Sequence, residues 1–586
     1  MSRYLEMWVV VVLVSVCGLA EGLSRVDPIV AAKAGLIRGL RSEDGFSKFL
    51  GVPYGLVNER NPFGPSTPHP VFEETFDAFN DSIECPQAHM DSATGNIQCL
   101  SLNIYVPDNA NSDNRLPVMV WIHGGAFIGG SNAGEAGNPI SLLRHDVIVV
   151  AINYRLGVYG FMCLDIPEVP GNQGLKDQIL ALRWINENIA AFGGDVSKIT
   201  LFGESAGGMS VNLHLYSSYE KLFNNVIIES GPALSYWMMV ESNTKIPFIL
   251  SAEFGLNTTD MNEALTHLSY VDAQSLVKAA TDLKITSGMG NDQPFTKPCV
   301  EKKFEGVENF MTEHPMNIRS TKASTTNIII GHNNAEFAFQ YAFQDAEYFE
   351  TYNLDMLFQM GFNMENDLDE AMYAVTHFYF GDEVISERVK WNLVDLGTDF
   401  IFGHPTQRMA EELLDSGAKN VYRYVFSYSG SRNMINGTGA SHGDELAYLF
   451  DINKTGANAT AEDQLVIDRL TKLWTNFAKH GDPTPETSEL LPSKWEPITE
   501  ATQQYLSMDL DFTPASRPDH ERMAFWDLFY KLYGKYQKWY EVSKKDIKKV
   551  FSFLGKASTK FFEKKFSERV LRLKMFKNFI KLRNHS

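Results

Sequence analysis

The sequence predicts an α/β protein built on a large, mostly parallel sheet with helices on both faces, and three observations predict it. Short apolar runs rich in Val and Ile recur along the chain, each ending at a polar or glycine-containing turn, as strands buried on both faces do. Helix-like segments separate them, so strand and helix alternate. One run, Ile199–Phe202, leads straight into Gly203-Glu204-Ser205-Ala206-Gly207. A hydroxyl between two glycines at a strand end is the pattern of a nucleophile elbow, a sharp strand-to-helix turn that lifts a serine out of a sheet.

The first strand in this series is Val118–Ile122, followed by His123-Gly124-Gly125-Ala126-Phe127, whose small residues let backbone N–H groups face a site. Val147–Ile152 is the next. Gln178–Phe192 is a helix by its Ile179, Leu182, Ile185 and Ile189 spacing. The elbow strand follows, then Val226–Ile228 and Asn327–Ile330. Val421–Tyr428 adds a late strand with β-branched and aromatic residues. The segments near 240–320 and 340–400 lean towards helix and are expected to cap the sheet. Neither an internal repeat nor a Pro/Ser-rich linker occurs before about residue 530, which favours one large catalytic domain over residues 21–530.

Both ends depart from this pattern. Arg3, the apolar run Trp8–Val16 and the small residues Gly18 and Ala20 make residues 1–20 a secretory signal. The run falls short of the roughly 20 residues needed to cross a bilayer. Residues 531–586 hold 17 Lys+Arg and 4 Asp+Glu, a net charge of +13, whereas the whole chain carries −20. An acidic body of −33 therefore carries a basic tail, with phenylalanines at 551, 553, 561, 562, 566, 576 and 579 between the cations. Such a tail suits either contact with an anionic surface or docking on the acidic body. The overall charge argues against nucleic acid as a partner.

The cysteines fit export. Cys17 lies in the predicted signal, Cys85 and Cys99 would close a small loop, and Cys163 and Cys299 are left as either a second disulfide or two buried thiols. N-x-S/T acceptors at Asn80, Asn257, Asn436, Asn453, Asn458 and Asn584 suit a secreted glycoprotein. No C-x-x-C or H-E-x-x-H spacing occurs, so neither a metal nor another cofactor is expected. A phosphate loop at GGAFIGGSNAG is disfavoured because the Lys-Ser/Thr pair is missing.

A serine hydroxyl needs a base, and the base an orienting acid. In sheet enzymes with this elbow they follow the serine in the order Asp/Glu, then His. Glu336, in the loop after the strand NIII, and His442, in the glycine-bounded loop GASHGDE, occupy such positions.

The chain resembles the type-B carboxylesterases, the cholinesterase-like branch of the α/β-hydrolases, over about residues 35–530. The resemblance rests on FLGVPYG (49–55), CLSLNIYVP (99–107), HGGAF, NYRLGVYGF (153–161), PGNQGLKDQ (170–178), AFGGD (191–195), GESAGG, the Glu336 loop, GASHGDELAYLF (439–450) and WTNFAKHGDP (474–483). It implies an α/β-hydrolase fold with Ser205 as nucleophile, His442 as base and Glu336 as acid. It implies further that Gly125, Ala126 and Ala206 form the oxyanion hole, that Cys85 and Cys99 pair, and that Glu204 is a buried supporting carboxylate. His123 is expected to support the oxyanion loop.

Two departures bear on substrate. Phe337 stands where the family usually has glycine after the acid, and the Cys85–Cys99 loop lacks the tryptophan that holds quaternary ammonium in cholinesterases. The segment VNERNPFGPSTPHP (57–70) and the acidic residue before the serine are most similar to insect secreted and antennal esterases, whereas juvenile hormone esterases usually carry glutamine there. The expected function is hydrolysis of small apolar esters, such as odorant or pheromone acetates and xenobiotic or dietary esters. Juvenile hormone esterase remains an alternative among enzymes. A non-catalytic adhesion or binding protein on the same fold is the alternative from another class, and a complete triad disfavours it. Oligomeric state is left open.

Overall fold

The computed structural model describes residues 28–538 apart from 90–91, 236–238, 287–295, 360, 365–366, 436, 438, 453–454 and 457. The predicted signal, the phenylalanine-bearing part of the basic tail and the acceptors Asn436, Asn453 and Asn584 lie outside the described residues.

An eleven-stranded sheet forms the centre. In chain order its strands are β1 (Leu40–Arg41), β2 (Phe46–Pro53), β3 (Ser101–Pro107), β4 (Leu116–Ile122), β5 (Ile148–Ile152), β6 (Gly194–Glu204), β7 (Asn225–Glu229), β8 (Asn327–Asn333), β9 (Asn420–Phe426), β10 (Gln504–Met508) and β11 (Phe512–Ser516). They lie in the order β11-β10-β9-β8-β7-β6-β4-β5-β3-β2-β1. From β10 through β5 every pairing is parallel, while the remaining pairings at either side are antiparallel.

The apolar runs read as strands because both faces of the sheet are covered. Along β4, Val118, Val120 and Ile122 enter one core and Met119 and Trp121 the other. The first core includes Leu175, Ile179 and Ile185 of helix α1 (Gln173–Asn188) and Met209 of helix α2 (Ala206–His214). It also includes Met409 and Leu413 of helix α3 (His404–Asp415). The second includes Leu470, Leu473 and Trp474 of helix α4 (Ala461–His480), which opens on a Thr460/Asp463 capping box and stops at left-handed Gly481. Period-2 alternation is hidden when neither face meets water.

Helix α1 starts five residues before the predicted Gln178. Its first turns carry polar residues in a buried setting, so apolar periodicity misses them. Asp177 receives Arg155 Nε at 2.7 Å and Nη2 at 2.8 Å, and Lys176 Nζ reaches Glu301 at 2.8 Å. The segments predicted to cap the sheet do form helices, among them Ile246–Glu253, Met261–Ser269, Ala273–Asp282, Leu368–Phe380 and Lys390–Thr398.

Residues 531–538, assigned by charge to the tail, belong to the folded body. Helix α5 (His520–Tyr533) buries Trp526 and Phe529, and beyond it Lys538 N–H donates to the Gly361 carbonyl at 3.1 Å. The aromatic spacing Trp526, Phe529, Tyr530, Tyr533 carries the helix past residue 530.

Strand register brings chemistry to one edge. Ile122 of β4 faces Gly203 of β6, which faces Ile228 of β7, and Glu229 faces Gly331 of β8. Loops leaving the carboxyl ends of these parallel strands converge there, the usual place for a site in an α/β sheet.

Candidate active site

Ser205 sits on that edge with φ 57° and ψ −122°, between the end of β6 and the first residue of α2. Its N–H donates to the Glu229 carbonyl at 2.9 Å, and its carbonyl accepts the Met209 N–H at 2.8 Å. A side-chain-bearing residue in this conformation is strained, and the turn holds it from both sides. A Cβ at Gly207 would collide with the Ile122 carbonyl, and one at Gly203 would meet the same oxygen at 2.5 Å. The two glycines flanking the serine are therefore required by the close approach of β4.

Beside the elbow runs the loop after β4. A Cβ on Gly124 would lie 3.2 Å from Ser205 Cβ, so the loop touches the serine. Gly125, Ala126 and Phe127 all have positive φ, at 97°, 54° and 65°. Among the described residues the N–H groups of Gly125 and Ala126 meet no acceptor, and Ala206 N–H opens helix α2, where a helix leaves its donors free. His123 is buried with its ring stacked on Tyr154 at 4.4 Å, and Tyr154 Oη donates to the His123 carbonyl at 2.8 Å. Its position supports the loop from behind.

Glu336 and His442 meet from loops 106 residues apart, Nδ1 to Oε2 at 2.6 Å. Glu336 is fully buried and its other oxygen is occupied: Oε1 accepts from Ser230 Oγ at 2.5 Å and from Asn333 N–H at 2.8 Å. The second imidazole nitrogen, Nε2, lies 3.1 Å from Glu204 Oε1. Ser205 Oγ makes no hydrogen bond to the imidazole among the described residues. Burial lowers the basicity of His442, but Glu204 and Glu336 outweigh it and push the imidazole up to about 10.

Two further carboxylates lie behind. Burial, opposed by a 3.1 Å hydrogen bond from Trp474 Nε1 and reinforced by Glu204, pushes Glu229 up to about 8. Burial together with Glu204, Glu229 and Glu336 raises Glu445 well above the usual carboxyl range. The neutral acid is the form such surroundings favour. Sequence motifs did not single out Glu229, Ser230 or Glu445, although ESG (229–231) ends a predicted strand and Glu445 lies three residues past His442.

Phe337 does not form the wall next to the imidazole. It is buried among Tyr341, Phe339 and Phe402, and a Cβ at Gly397 would sit 2.5 Å from its ring. The rings that face His442 are Phe402 at 4.9 Å and Phe339 at 5.7 Å, and Phe339 is 38% exposed. His332, also near in sequence, is buried and pushed down to about 3 by burial and by Arg423 and Arg522, unsuited to act as base.

Cys85 and Cys99 form a disulfide, Cα atoms 4.9 Å apart, as do Cys163 and Cys299 at 6.7 Å. The first loop is tied to the segment after β4: Gln87 Nε2 donates to the Gly130 carbonyl at 3.1 Å, and Gly130 N–H returns to Gln87 Oε1 at 2.9 Å. Asn80, Asn257 and Asn458 are exposed.

A strained serine at the carboxyl edge of a mostly parallel sheet, on the turn between strand and helix, defines the α/β-hydrolase class. The chain belongs to the carboxylesterase family, whose model matches residues 26–526. It is 30% identical over 560 residues to bile salt-activated lipase of Rattus norvegicus, covering 88% of each chain. It is 30% identical over 480 residues to esterase FE4 of Myzus persicae, covering 77% of this chain and 82% of that one. Liver carboxylesterase of Sus scrofa is 32% identical over 445 residues, 73% and 76% of the two chains. The protein is a carboxylic ester hydrolase.

Proposed function

We propose that the protein is a secreted serine esterase working through an acyl-enzyme, with Ser205, His442 and Glu336 as its triad. The observation that carries this reading is the 2.6 Å Glu336–His442 contact, with Nε2 3.1 Å from the carboxylate of Glu204, the residue before the strained Ser205. In acylation Nε2 exchanges its Glu204 contact for the Ser205 hydroxyl and takes the proton as Oγ attacks the ester carbonyl. The N–H groups of Gly125, Ala126 and Ala206 receive the oxyanion, each donor worth about 10²–10³ in rate. The imidazolium, held by Glu336, then protonates the departing alcohol as the C–O bond breaks. Water repeats the sequence and frees the acid.

A fluorophosphonate probe tests the nucleophile. It should label the wild type at Ser205 and leave Ser205→Ala unlabelled, with ester turnover reduced at least ~10³-fold. Labelling elsewhere, or turnover surviving the substitution, overturns this assignment.

The substrates are small apolar esters. Phe339 and Phe402 give the imidazole an apolar setting, and the loop between Cys85 and Cys99 offers no tryptophan to a quaternary ammonium. Choline esters should therefore rank low in a hydrolysis panel. Export removes residues 1–20, and Asn80, Asn257 and Asn458 carry glycans, which N-terminal sequencing and glycosidase treatment of the secreted protein would check. The charge of the basic tail suits docking on the acidic body. Deleting residues 539–586 should lower thermal stability without altering turnover, whereas binding of the intact protein to anionic vesicles, lost on deletion, would assign the tail to a surface instead.

A further inference from the structure

Helix formation lapses at one place close to the catalytic edge. Between the helix Lys390–Thr398 and α3, residues Asp399–Gly403 form a π-turn, closed by His404 N–H donating to the Asp399 carbonyl. Such turns are rare and cost hydrogen-bond geometry, so something must hold this one. Phe402 lies within it and faces His442 at 4.9 Å. Restoring α-helical pairing would remove one residue from the turn, a rotation of about 100° for whatever follows or precedes it. Phe402 would then leave the imidazole.

The anchors of the turn are remote from the reacting atoms. Asp399 is buried, and its Oδ2 accepts from Tyr379 Oη at 2.6 Å and lies 2.8 Å from Arg522 Nε in an ion pair. Tyr379 Oη accepts in turn from Trp526 Nε1 at 2.8 Å, so α5 grips the turn through two side chains. Arg522 also reaches Asp395 at 3.4 Å and Asp519 at 3.0 Å. On the opposite side Ser235 Oγ donates to the Ile401 carbonyl at 2.6 Å. Phe400, two residues from Phe402, is wedged against Phe358 at 4.4 Å and Trp526 at 5.1 Å.

We propose that Asp399 is a positioning residue for ester selectivity: by pinning the π-turn it sets Phe402 against His442 and so fixes the width of the apolar wall that meets the substrate. The inference rests on the triad reading only in taking His442 as the centre of the site. A buried ion pair serving stability alone would leave the wall unchanged when it is weakened, provided the fold survives. Asp399→Asn keeps the shape and an acceptor for Tyr379 while removing the charge that Arg522 meets.

The test uses p-nitrophenyl esters of increasing acyl length with the wild type, Asp399→Asn, Phe402→Leu and the double variant. Asp399→Asn and Phe402→Leu should shift the kcat/KM preference between short and long acyl chains in the same direction, by about 10-fold. The double variant should show little beyond Phe402→Leu alone, since both act through one ring. Ring-current perturbation of the His442 imidazole proton signals, read by NMR, should fall in both single variants whether or not esters are turned over. That measurement separates failure of this inference from failure of the triad. An Asp399→Asn protein with a lowered melting temperature but unchanged selectivity and unchanged His442 signals overturns the proposal, as do additive effects in the double variant. If Asp399→Asn does not fold, Arg522→Lys, which retains a cation, must show the His442 signal change seen in Phe402→Leu; unchanged signals there count equally against it.

Discussion

His442 is pulled in two directions by its neighbours. Glu336 meets Nδ1, while Glu204 lies at Nε2, the nitrogen that the proposed mechanism gives to Ser205. Burial lowers the basicity of the imidazole, and three carboxylates, Glu204, Glu336 and Glu445, outweigh burial and raise it. In the proposed triad the base works only when neutral, so activity should rise with pH through the histidine's own value and be lost below it. Replacing Glu204 with Gln removes one negative charge next to the imidazole and lowers that value. The acid limb of kcat/KM should move down by about 1–3 pH units. A limb that stays in place would show that Glu204 does not govern the base. Ser205, Glu336 and His442 could be named as candidates from the sequence because each sits in its own short motif. The grip of Glu204 on Nε2 could not be read there, because a carboxylate one residue from a serine fits many side-chain directions. Phe402 was invisible for a different reason: only a break in helical pairing aims it at the site.

The elbow shows why strands could be read and helix ends could not. Strand β6 was recognised over Ile199–Phe202 but spans Gly194–Glu204, since its first half is polar at the surface and its last residues form the turn. Gly207 makes the sharpest claim: a methyl there falls on the Ile122 carbonyl of the neighbouring strand. Gly207→Ala should therefore cost at least about 2–3 kcal/mol and reduce activity along with the melting temperature. An Ala variant with wild-type stability would mean that β4 and α2 separate more freely than their packing implies. Helix α1 carries the complementary lesson. Its opening turns are stabilised by Arg155, Asp177, Lys176 and Glu301 in paired contacts, and apolar spacing has no view of these.

Across the molecule, length, charge and alternation predict one catalytic body with a basic end, without marking where one gives way to the other. Packing of α5 moves that boundary to at least residue 538. The Cys163–Cys299 bond was left open by the sequence because partners 136 residues apart share no local signal. It ties the helical region after β7 back to the loop after β5. Replacing both cysteines with serine should lower stability by about 2–5 kcal/mol, seen as an earlier denaturant midpoint. Turnover at 25 °C should persist, because neither sulfur approaches Ser205 chemistry; an inactive yet folded variant would contradict this.

The anchoring of the Phe402 turn by Arg522 and Trp526 has a consequence for the order in which the protein comes into being on the ribosome. Ser205 is translated early, but His442 follows 237 residues later, and α5 later still. On the proposed triad, at about 5–20 residues per second, the nascent chain carries its nucleophile for roughly 10–50 s without a base. The wall beside that base is fixed only once the last helix of the body has emerged. On the proposed triad a half-made chain is catalytically silent, and on the proposed role of Asp399 selectivity is the final property to be acquired.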